Sequence, residues 1–129
     1  MSREEIRVDG LAEPISHFTD GVLAGGFLYV SGIVAVDRDG RLVGGDDVVA
    51  QTRQIFDTMR AVLEAGGCGF EDVVKVTVFL TDIDDRPLVN PVRQEVFGDA
   101  RPASTLVEVS ALVIPGARIE VEAVALIPA

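Results

Sequence analysis

Glu120 and Glu122 stand two residues apart in "ARIEVEAVAL" (117–126), and an extended backbone sets both carboxylates on one face. Paired carboxylates do acid–base work when burial separates their pKa values. On an open strand the same pair is ordinary solvated surface. His17 is the single histidine, the one side chain expected to titrate near neutral pH without perturbation. It sits in a loop after Pro14 and adjoins Phe18. Cys68 is the single cysteine, so no intramolecular disulfide forms. It follows a helix end with no base nearby in sequence and reads as an inert, packed thiol.

Metal and phosphate chemistry are poorly supplied. One histidine and one cysteine make no zinc site without several carboxylates. "DRDG" (37–40) resembles the start of a calcium loop, but the twelfth position from Asp37 is Val48 where glutamate is needed. The glycine pairs at 25–26, 44–45 and 66–67 fit no phosphate-binding pattern and punctuate turns. No metal is expected.

Strands and two helices must position these residues. "FLYVSGIVAV" (27–36) is rich in β-branched residues and reads as a strand. The segment from His17 to Gly26 supplies an antiparallel strand before it, and Asp39-Gly40 marks a hairpin turn after it. Val48, Gln51/Thr52, Ile55, Met59, Val62 and Leu63 form a helical stripe, capped by Asp46 or Asp47 and ended by Gly66-Gly67. A strand over 72–82 follows. A second helix over 84–98 has Pro87 in its first turn, while Pro91 is expected to confine regular helix to the residues after it. "STLVEVSAL" and "ARIEVEAVAL" are the last strands. This order predicts one α+β domain over residues 1–129, with both helices on one face of a mixed sheet. On the last strand Ile119, Val121, Ala123 and Ala125 form a core face. Glu120, Glu122, Val124 and Leu126 form a half-apolar one. With no third layer in the chain, that second face suggests self-association; plain solvation is the alternative.

The formal net charge of −10 argues against nucleic acid and against anionic membrane surfaces. With 48% hydrophobic residues in 129, the chain has material for a core without disulfides or metals. "MSREEIRVDG" has no secretory character and no apolar run is long enough to span a bilayer, so a cytoplasmic protein is expected.

Beyond composition, four stretches carry a resemblance. They are "FLYVSGIVAVDRDGRLVGGD", "QTRQIFDTMRAVLEAGGCGFEDVVKVTVFLTDIDD", "VNPVRQEVFG" and "RPASTLVEVSALVIPGARIEVEAVAL". Together, in order, they resemble the YjgF/RidA family from about residue 15 to the end. The resemblance implies a chorismate-mutase-like α+β fold and a homotrimer with a small-molecule cleft between each pair of subunits. It implies cofactor-free hydrolysis of reactive enamines and imines, such as 2-aminoacrylate, to a keto acid and ammonia. In that chemistry an arginine clamps the substrate carboxylate, a glutamate activates water, and a tyrosine and small polar groups complete the cleft.

Carried over by position, Glu120 stands at the acidic site, and Ser31 and Asn90 match the cleft serine and asparagine. Four positions depart. Ser104, followed by Thr105, stands where the family has its arginine. Phe18 replaces the tyrosine, His17 the proline before it, and Ile33 a glutamine. A buried charged hydrogen bond is worth about 1.5–3 kcal/mol, so a lost anchor weakens binding by about 10- to 100-fold. Arg101 and Arg93 are the nearest guanidiniums in sequence. The expectation is therefore imine or enamine deamination with altered specificity. The alternative is a non-catalytic trimer that binds a metabolite in the same clefts. Some relatives are described as endoribonucleases or translation inhibitors; the acidic balance speaks against that role here.

Overall fold

The computed structural model describes residues 2–129. Six strands and two helices run in the order β1 (Arg3–Ile6), β2 (Gly21–Ala24), β3 (Phe27–Val34), α1 (Val48–Ala65), β4 (Val73–Leu80), α2 (Arg86–Phe97), β5 (Ala103–Glu108) and β6 (Ile119–Leu126). The sheet order is β1-β2-β3-β6-β4-β5, antiparallel throughout except for the parallel pair β4–β5. It is the α+β arrangement that the element order predicts.

Alternation decides which face is core. Val76, Val78 and Leu80 of β4 and Ile119, Val121, Ala123 and Ala125 of β6 are buried, along with Leu28 and Val30 of β3. The stripe Val48, Ile55, Phe56, Met59, Val62 and Leu63 of α1 closes over them, and α2 packs beside α1 through Val89, Val92 and Phe97. Phe56, Phe70 and Phe97 meet edge to face, with ring centroids 5.5–6.1 Å apart, and tie the helices together. Asp47 is the cap of α1, its carboxylate accepting from the backbone of Val49 and Ala50. Gly67, at φ 79°, turns the chain away at the other end. Buried Gln51 is fully engaged: its Nε2 donates to the Gly45 and Gly116 carbonyls and its Oε1 accepts from Arg118 N–H. Arg118 in turn grips Asp85 with both carboxylate oxygens, at 2.7 and 2.8 Å.

Expectations for α2 and β3 are corrected, and one strand appears that no expectation covered. α2 runs unbroken through Pro91. The proline removes one bond, to the Pro87 carbonyl, on the exposed side of the helix. The loss, about 3 kcal/mol in a helix interior, is offset by burial of Val89, Val92 and Phe97 at about 1.5–3 kcal/mol each. β3 stops at Val34, with Val36 making only a single bridge to Leu42. The N-terminal "REEI" forms an edge strand that its composition does not announce.

The face of the sheet away from the helices is uncovered. Across it run the register partners Val22, Tyr29, Val124 and Lys75, then Thr77 with Glu122 and Thr105, then Phe79 with Glu120 and Val107. Among the described residues no helix is long and apolar enough to cross a membrane.

Candidate functional site

Glu120 projects from β6 onto this open face, opposite the core positions Ile119 and Val121. Its neighbour β3 slips register between Val30 and Ile33, a bulge that carries Ser31 and Gly32. The Glu120 carboxylate lies against Gly32 so closely that a Cβ there would overlap its Oε2. Burial, and secondarily the Glu122 carboxylate, push the Glu120 carboxyl above its ordinary value. A half-buried carboxylate whose pKa is raised is a better proton acceptor than an ordinary glutamate and a candidate acid–base group. Gly32→Ala tests the seat. The clash falls on the end of a flexible side chain, so the melting temperature is expected to stay within a few degrees of native. The carboxylate moves, and any reaction it serves is expected to fall about 100-fold, the effect of misplacing a catalytic group by about 1 Å.

Beside the bulge lies a mostly apolar cavity of about 170 Å³, between the 10–20 loop, the 36–40 turn and α1. Phe18, 48% exposed, forms part of its wall. The loop is held in shape by charge and hydrogen bonds. Arg7 Nη1 donates to Asp20 at 2.6 Å, Arg7 Nη2 to the carbonyls of Leu11 and Ala12, and Thr19 Oγ1 to the Ile6 carbonyl at 2.7 Å. This brace depends on β1 and has no signature in local sequence.

A second cavity, about 380 Å³, opens between α2 and β5, lined by Asn90, Arg93, Gln94, Arg101 and Ser104 among others. Arg93 Nη2 donates to Ser104 Oγ at 2.7 Å. Half-buried, the guanidinium has its pKa lowered by desolvation yet stays a cation.

The residues singled out in the sequence therefore fall into groups. Asn90 and Ser104 share the second cavity, joined there by both arginines noted above. Ile33 belongs mainly to the core and only touches the first cavity. Ser31 is a brace: its Oγ donates to the Thr19 carbonyl at 2.5 Å and its N–H to that of Asp20. His17 is exposed and lines neither cavity. Thr105 points to the open face, where its Oγ1 accepts from Lys75 at 2.7 Å. Among the described residues no three of histidine, cysteine, aspartate and glutamate gather to hold a metal.

One geometric relation governs the rest. Ser104 pairs with Val76, whose side chain is buried on the helix side, whereas Glu120 pairs with Phe79 on the open side. The arginine cavity and the carboxylate thus lie on opposite faces of one sheet. A single small molecule meets both only where two copies of the chain come together.

The comparisons with known proteins agree with this architecture. The Endoribonuclease L-PSP family profile matches residues 10–127. A RutC family protein of Pyrococcus horikoshii is 40% identical over 124 residues, covering 95% of this chain and 97% of that protein. The crystal structure of RidA from an Antarctic Psychrobacter species superposes with a TM-score of 0.89 at 30% identity, over 96% of this chain and 99% of that one. The YjgF gene product of E. coli gives 0.86 at 33% identity, over 95% and 98%.

Proposed function

The chain belongs to the YjgF/RidA family, and from that premise we propose that it hydrolyses reactive enamines or imines to a carbonyl compound and ammonia, in clefts between the subunits of a homotrimer. The observation that carries the proposal is Glu120, a half-buried carboxylate of raised pKa seated on the glycine of a β-bulge. An enamine first tautomerises to the imine. Water then adds to the imine carbon while Glu120 takes its proton and hands it to the imine nitrogen, giving a carbinolamine. Glu120 next takes the hydroxyl proton and delivers it to the amino group, the C–N bond breaks, ammonia leaves and the carbonyl forms. Glu120 ends as it began, and no electron is transferred. The opposite faces on which Glu120 and the α2–β5 cavity lie support a composite cleft. The half-apolar open face, with Tyr29, Val107 and Leu126 exposed, supports the association that creates it.

Serine at 104 favours a second reading, a trimer that binds a metabolite without turnover. The two are separated by supplying imines in situ from an amino-acid oxidase and following ammonia and keto-acid release. The native chain is expected to accelerate release over buffer. Uniform silence across a panel of imines, with ligands that still raise the melting temperature, supports the binding role instead. The endoribonuclease description carried by the family is disfavoured here by the net charge of −10.

A further inference from the structure

We propose that Arg93 is the anion clamp of this chain, a guanidinium delivered from α2 and aimed by Ser104, which takes the carboxylate of a small 2-oxo or 2-imino acid. The assignment rests on the cleft proposed above and names its anchor and substrate class.

Of the ten arginines, Arg38, Arg41, Arg86 and Arg101 enter no ion pair among the described residues, and all four are exposed. Arg7, Arg53 and Arg118 all find acidic partners. Arg93 enters none of the ion pairs among the described residues, although it is half-buried. A partly desolvated charge without a counter-charge is costly unless something else supplies one. The cavity around it holds a second arginine, Arg101, two amides, Asn90 and Gln94, and no carboxylate. An anion is the chemistry that completes such a site.

The geometry narrows the anion. Ser104 Oγ accepts from Nη2 and so fixes the plane of the guanidinium without neutralising it. The rest of the fork remains for a planar, two-pronged acceptor, which a carboxylate provides. The amides of Asn90 and Gln94 offer neutral donors for an adjacent oxo or imino group. A serine at this point of β5 leaves room for the helix arginine. A larger residue at 104 would occupy the space that the guanidinium uses.

Binding of pyruvate, acetone and inorganic phosphate to the assembled protein, by calorimetric titration, tests the clamp. Pyruvate is expected to bind the native chain and acetone not to. Arg93→Ala is expected to weaken pyruvate about 10- to 100-fold, and Arg93→Lys less, because the charge stays but the fork is lost. Ser104→Ala is expected to weaken pyruvate about threefold at unchanged melting temperature, raising KM while leaving kcat. The double exchange Arg93→Ser with Ser104→Arg is expected to recover most of the affinity, since a guanidinium again fills the cavity; a fold defect in Arg93→Ala would not mimic that rescue. Native affinity in a folded Arg93→Ala protein, or loss confined to Arg101→Ala, overturns the assignment. Phosphate binding in preference to pyruvate overturns the substrate class. Ammonia release is read in parallel. Turnover that survives Arg93→Ala leaves the deaminase standing and removes the clamp. Arg93-dependent pyruvate binding without turnover by the native chain keeps the clamp and removes the deaminase.

Discussion

Glu120→Gln is expected to slow imine hydrolysis by about 10²- to 10⁴-fold, the range for removing a general acid–base group, while making the protein more stable at neutral pH. Both effects have one cause. Burial, aided by Glu122, raises the Glu120 pKa above its ordinary 4.5. Ionisation is therefore harder in the folded chain than in the unfolded one. The stability that protonated Glu120 leaves intact below pH 4.5 is lost as the pH rises through the raised folded value. Glutamine keeps the shape and carries no charge, so it escapes that loss. At pH 7 the variant is expected to melt above native, and the gap should close once the pH falls below the ordinary glutamate value. If the native chain turns over imines as proposed, the rate should rise with pH through a pKa raised above the ordinary glutamate value, as the base ionises. A variant of native rate, or one that melts no higher than native at pH 7, would show that Glu120 is neither strained by burial nor used.

Mixing two inactive variants is expected to restore activity. Glu120→Gln spoils one half of every cleft. Asn90→Ala combined with Arg93→Ala spoils the other. Within a single copy the two halves lie on opposite faces of the sheet, so in the proposed trimer each cleft would draw Glu120 from one subunit and the arginine cavity from its neighbour. Equal amounts, dissociated and reassembled at random, give a cleft with both halves intact at a frequency of about one in four, so about a quarter of native activity should return. Val124→Asp, which places a charge in the middle of the open face, is expected to yield monomers with native secondary structure, no turnover and no complementation. Mixtures no more active than their components, or an active monomer, would mean that one copy makes a whole site, contrary to the sheet geometry.

The helix α1 was legible because each of its signals is local. Its stripe repeats within four residues, its cap Asp47 binds N–H groups two and three residues on, and its stop is a glycine with positive φ. β6 was legible through its period of two. β1 was not, because "REEI" gains its place from pairing with Gly21–Ala24 and buries only Ile6. Pro91 misled for the opposite reason. The local penalty is real, and packing against α1 outweighs it.

The candidate site divides along the same line. Glu120 and Asn90 could be named as candidates from the chain, and Ser104 from the resemblance, since each is a residue type at a position. Charge balance by itself disfavoured nucleic acid. That Ser31 is a brace, that Thr105 faces away from Ser104, and that Gly32 makes room for the Glu120 carboxylate were decided by tertiary structure. So was the meeting of Arg93 with Ser104, eleven residues apart on a helix and an edge strand. The physical reason is that periodicity assigns a side chain to a face of its own element, whereas a site depends on what stands opposite that face. That partner is chosen by sheet register, by a bulge and by packing between elements distant in sequence, and none of these is encoded within a few residues of the side chain it positions.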